Sequence, residues 1–129
     1  MTNAETLKAG RDLMLGLHRS LMDRERAAYE ILHGRATAGQ FLQALIEDPQ
    51  LAWLRNFSTF IVEIDETFAQ KDGYREDAVE THLEKMREIV FMRSVDEAFS
   101  EKYQVGLQRN IEAAAIHGRL KQLLRDDNE

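Results

Sequence analysis

Apolar residues recur at spacings of three and four from Leu7 to Leu124, with only a few short breaks. That period marks amphipathic helices, because 3.6 residues complete a turn and positions three and four apart share a face. Leu7, Met14, Leu21 and Ala28 fall one heptad apart, with Leu17 and Ile31 beside them. They predict a first long helix over about 4–33, closed by Gly34. Thr37 and Gln40 have the form of a capping box and predict a short helix over 38–47 that carries Phe41, Leu42, Leu45 and Ile46. Asp48 followed by Pro49 reads as an N-cap and a first-turn proline. They open a third helix over 49–70 with the stripe Leu54, Phe57, Ile61, Ile64 and Phe68, widened by Trp53 and Phe60.

The stretch KDGYRED reads as a turn. Asp77 and Glu80 then cap a fourth helix over 78–92 with the stripe Val79, Leu83, Met86 and Val90. Ser94 and Glu97 make a second capping box for a last helix over 95–125. Its stripe of Phe99, Tyr103, Leu107, Ile111 and Ala114 changes phase to His117, Leu120 and Leu124, which predicts a kink or break near Asn110. These elements predict an all-α fold and one domain over 1–129. The architecture expected is an antiparallel up-and-down four-helix bundle, with an additional short helix between the first and second long helices.

Composition narrows the function. The 129 residues hold no cysteine, which excludes disulfides, thiolate catalysis and Cys-based metal sites. A formal charge of -6 disfavours nucleic acid as a partner, since phosphate neutralisation needs Lys and Arg in excess. No apolar run approaches the roughly 20 residues of a membrane span, so no membrane is expected either. The first ten residues, MTNAETLKAG, lack a basic start and an apolar stretch, and the cytoplasm is the expected compartment.

The stretch DPQLAWLRNFSTFIVEIDE, Asp48 to Glu66, resembles a pattern of small uncharacterised bacterial all-helical proteins. LHRSLMDRERAAYEILHG before it, and FSEKYQVGLQRN with AAAIHGRL after it, are similar too. Where such proteins favour Asp-Pro in the last helix, this chain has Asn110-Ile111. The resemblance implies a helical bundle and a bacterial source. It implies no activity, and no functional residue transfers with it.

The polar residues that flank the core stripes are the candidates for chemistry. With short loops, each helix runs back beside its predecessor turn for turn. His18 then lies level with Asp65, and Asp65 level with His82, while Glu25 falls near Ser58 and Tyr29 near Trp53 to Arg55. Two imidazoles and a carboxylate at one level form a possible site for a divalent metal such as Fe, Mn or Zn, with Glu25 as an extra ligand. The competing reading is a hydrogen-bonded layer that fixes the register of the bundle.

Other chemistries have less in the sequence. A ferritin-like di-iron site needs Glu-x-x-His on two helices, and Glu30 to His33 is the single occurrence. Haem ligation by Met14 and His117 is a further option, weakened by the place of Met14 on the core stripe. None of Ser20, Ser58, Ser94 and Ser100 follows a Gly-rich elbow, and the seven glycines are scattered, so neither a nucleophile nor a phosphate loop emerges. Gly106 and Gly118 lie inside a helix, where glycine costs about 1 kcal/mol against alanine. Either another helix or a ligand approaches there. The stripe of Trp53, Phe57 and Phe60, with Phe41 and Leu42, reads as core beneath the short helix or, in part, as an exposed partner surface. The expected function is therefore a non-enzymatic protein–protein interaction module, a homodimer or one half of a complex, with no cofactor. A metal- or ligand-binding bundle is the alternative.

Overall fold

The structure is a computed structural model and describes residues 1–93 and 96–125. Among the described residues it is all-helical: α1 (Asn3–His33), α2 (Ala38–Glu47), a 3-10 turn (Ala52–Leu54), α3 (Arg55–Phe68), α4 (Glu76–Val90), α5 (Glu97–Gln108) and α6 (Ile111–Arg125).

The local signals explain most boundaries. Thr37 Oγ1 accepts from the Gln40 N–H while Gln40 Oε1 accepts from the Thr37 N–H, the reciprocal pair expected of a capping box. Thr2 and Glu5 make the same pair at the start of α1. Gly34 closes α1 with a φ of 82°, and Gly73 turns the KDGYRED loop with a φ of 87°. Three expected caps differ. Asp48 caps the C-terminus of α2 and accepts from the Gln50 N–H, and the chain makes a 3-10 turn before α3 opens at Arg55. Arg75, not Asp77, precedes α4, and its guanidinium pairs with the Asp77 carboxylate inside the first turn. Asp96 caps α5 by accepting from the Phe99 N–H, while the expected cap Ser94 lies outside the described residues.

The last segment departs furthest from the expected single rod. It is two helices, and the chain folds back at Arg109–Asn110. Tyr103 and His117, each seven residues from Asn110, meet at 2.6 Å between the phenol oxygen and Nδ1. Asn110 holds this corner from both sides. Its Oδ1 accepts from the Ala113 N–H, capping α6, and its Nδ2 donates to the carbonyl and hydroxyl of Ser20 on α1. The corner rephases the stripe: Ala113 is fully buried, whereas Ile111 and Ala114, expected in the core, are exposed.

α1 packs against α3, α4 and α6, α3 against α4, and α4 against α6. α5 packs on α6 and, with α2, on the 3-10 turn. The core joins Leu7, Met14, Leu17 and Leu21 of α1 to Phe57, Phe60, Ile64, Leu83, Met86, Tyr103, Leu120 and Leu124. An aromatic group of Trp53, Phe57, Phe99 and Tyr103 fills the end beneath α5, with ring centroids 5.3–6.5 Å apart.

Candidate functional site

The register of α1 against α3 differs from the expected one by two helical turns. Asp65 pairs with Arg11, whose Nε and Nη2 donate at 2.9 and 2.8 Å to its two carboxylate oxygens. His18, seven residues further along α1, packs instead on the Phe57 ring at 6.2 Å. The cause is the connection between the two helices. It is no short hairpin but α2 and the 3-10 turn, so α3 begins level with the middle of α1. Leu21 is the last residue of α1 buried in the core. The twelve residues from Met22 to His33 project past the start of α3, about 18 Å of helix at 1.5 Å per residue.

This slip separates the expected metal ligands. The Asp65 carboxyl is held below its ordinary range by the hydrogen bonds from Arg11 and the charge they carry. His82 Nε2 lies 2.8 Å from Thr67 Oγ1, and its ring packs edge-on against Phe60. Burial lowers the pKa of His18 and favours the neutral ring. Glu25 sits on the projecting end of α1, where burial raises its carboxyl, opposed by the Lys102 and Arg109 charges. Among the described residues no three His, Asp or Glu side chains gather where a metal ion could be held. The α3–α4 register is closer to expectation: Thr67 meets His82, and Lys85 meets Glu63 at 3.3 Å. The other candidates are also engaged. Glu30 accepts from the Ala36 N–H, Met14 is fully buried in the core, and His117 is bound to Tyr103.

The projecting end of α1 creates the surfaces that sequence reasoning missed. α2 supports one side of it: Arg26 donates to the Ala36 carbonyl at 2.7 Å and lies over the Phe41 ring, and Tyr29 packs against Phe41. The opposite side is open. Ile31 and Leu32 are 84% and 81% exposed, and Ala27 and Ala28 are exposed with them. Leu42 and Ile46 of α2 and Val105 of α5 add further exposed aliphatic surface. Between this end of α1 and α5 runs a groove of about 790 Å³, walled by Arg24, Glu25, Ala28 and Ile31 on one side and Glu101, Lys102, Val105 and Arg109 on the other. Trp53 and Gly106 form part of its lining.

A second cleft, of about 690 Å³, lies on the other flank of α5 and shares Trp53, Ala98 and Lys102 with the groove. Pro49, Ala52, Ile89 and Phe99 give it apolar walls, and Arg55, Lys85 and Lys102 bring three cations. The aromatic stripe itself is core. Trp53, Phe57, Phe60 and Phe41 are all buried, and only Leu42 of that group reaches solvent. The heptad carried a hint of the projection, since Ile31 continues the apolar stripe past the last residue the core can cover. The cleft cations carried none, being far apart in sequence.

No family model, curated protein or solved structure matches the chain. No helix among the described residues is long and apolar enough to cross a membrane.

Proposed function

We propose that this protein is a non-enzymatic interaction module that works as a homodimer, with the projecting end of α1 as its contact surface. In this reading α1, α3, α4 and α6 form an up-and-down four-helix bundle, and α2, α5 and the 3-10 turn build the end from which α1 projects. The observation that carries the reading is the exposure of Ile31 and Leu32, four-fifths in solvent on the side of α1 that α2 leaves open. Burying an Ile or Leu side chain is worth about 1.5–3 kcal/mol, so a twofold pair covering both residues on each copy gains about 6–12 kcal/mol before association costs. The stretch also carries both signs, Asp23, Arg24, Glu25 and Arg26. A twofold partner therefore does not meet a face of a single sign.

Sedimentation equilibrium tests this. Wild type at about 100 µM is expected to show a reversible monomer–dimer equilibrium, well above a weak-complex threshold. Ile31→Glu with Leu32→Glu is expected to give monomer with unchanged helix content. A wild-type chain that stays monomeric over that range overturns the homodimer.

A further inference from the structure

The cleft on the far flank of α5 has a chemistry of its own. The chain as a whole is acidic, with 23 Asp and Glu against 17 Lys and Arg. Arg55, Lys85 and Lys102 nonetheless converge on this one cleft, faced by a single acidic residue in its lining, Asp96. Asp96 is already engaged as the cap of α5. Among the described residues the carboxylate nearest these cations is Glu63, 3.3 Å from Lys85. Lys102 donates to the neutral amide oxygen of Gln50 at 2.8 Å, and Arg55 has no carboxylate within 4.0 Å among the described residues.

Three cations against one acidic lining residue, beside apolar walls and with Lys85 held only by an exposed pair to Glu63, suit one kind of ligand. The positive charges favour an anion, and the guanidinium of Arg55 offers two parallel donors that match a carboxylate. Pro49, Ile89, Trp53 and Phe99 favour an apolar body behind that charge. The volume of about 690 Å³ lies within the range of small-molecule sites. We propose that this cleft binds a small organic carboxylate with an apolar tail or ring, held by Arg55 and Lys85 at its head and by the Trp53–Phe99 wall along its body. The cleft lies on the other flank of α5 from the exposed Ile31 and Leu32 and does not depend on dimerisation, although Trp53, Ala98 and Lys102 border both the cleft and the groove beside α1.

The chain has a single tryptophan, Trp53, and it lines the cleft, so its emission reports entry of a ligand directly. Titration with octanoate is expected to shift that emission saturably and to move the backbone amide resonances of Ala52, Arg55 and Lys85. Acetate lacks the tail and 1-octanol lacks the charge, and each is expected to bind at least about tenfold more weakly, the loss that a missing charged hydrogen bond or a buried chain produces. Arg55→Gln and Lys85→Gln are expected to weaken octanoate about fivefold or more, while Arg109→Gln, which lines only the neighbouring groove, leaves it unchanged. Arg55 and Lys85 are exposed, so both variants are expected to keep the wild-type melting temperature. Equal binding of octanol and octanoate, wild-type affinity in both cation variants, or no saturable change at Trp53 up to about 10 mM overturns the proposal.

Discussion

Gly106 and Gly118 stand in the interiors of α5 and α6, and the structure assigns them opposite responses to the same substitution. A Cβ on Gly106 would lie 3.0 Å from Leu21 Cδ2 and 3.3 Å from Trp53 Cη2. Both neighbours are buried, Leu21 at 2% and Trp53 at 7% exposure, so neither gives way without disturbing the core. A Cβ on Gly118 meets nothing within 4 Å. Alanine at either site gains about 1 kcal/mol of helix propensity. At Gly118 that gain stands alone, and Gly118→Ala is expected to stabilise by about 0.5–1 kcal/mol. At Gly106 it is opposed by overpacking of about 1–3 kcal/mol, so Gly106→Ala is expected to run from neutral to about 2 kcal/mol destabilising. The assay is chemical denaturation of the two variants beside wild type, with thermal melts in parallel. At this chain length 1 kcal/mol moves the midpoint by about 4 °C. Equal stabilisation by both substitutions would refute the close packing of α5 on Leu21 and Trp53.

Four further outcomes follow from the same contacts. Asn110→Ala removes the cap of α6 and two donations to Ser20, and is expected to cost about 2–3 kcal/mol in denaturant unfolding. Thr6 is 1% exposed and its hydroxyl has no hydrogen-bond partner among the described residues, so the isosteric Thr6→Val is expected to raise stability by about 1 kcal/mol. Burial and the nearby Lys121 push His117 from 6.5 down to about 4, so the unfolded chain takes up its proton first. Stability is therefore full above pH 6.5 and is expected to fall as the pH drops toward 4. His117→Gln flattens that slope, measured by melts across the range. The exposed Arg11–Asp65 pair is expected to give a coupling of only about 0.2–1 kcal/mol in a double-mutant cycle, despite its bidentate geometry.

The elements were legible because several local signals agreed at each. α2 was marked at its start by the capping box, and its bounds are those expected, although Asp48, read as the cap of the next helix, closes α2 instead. The stripe of α4 was fully readable, and all four of its residues are buried. What local signals do not carry is how far one rod slides along another. The same heptad supports any register shifted by seven residues, so the placement of His18 against Asp65 rested on loop length alone. The excursion through α2 moved it by two turns and dispersed the expected ligands. The corner at Asn110 was visible as a slip of phase. Its size was not, because a kink and a full reversal leave the same mark on a hydrophobic stripe. The cleft cations were hidden for a related reason: Arg55, Lys85 and Lys102 lie on three different helices and meet only once those helices are packed.

Hydrogen exchange read by mass spectrometry at low and high protein concentration tests most directly whether the open face at the end of α1 is where two copies meet. Slower exchange at high concentration is expected in residues 27–33, with the remainder of the chain unchanged apart from neighbouring parts of α2 and α5. Concentration-independent exchange over 27–33, or protection that appears on α4 and α6 instead, would contradict it.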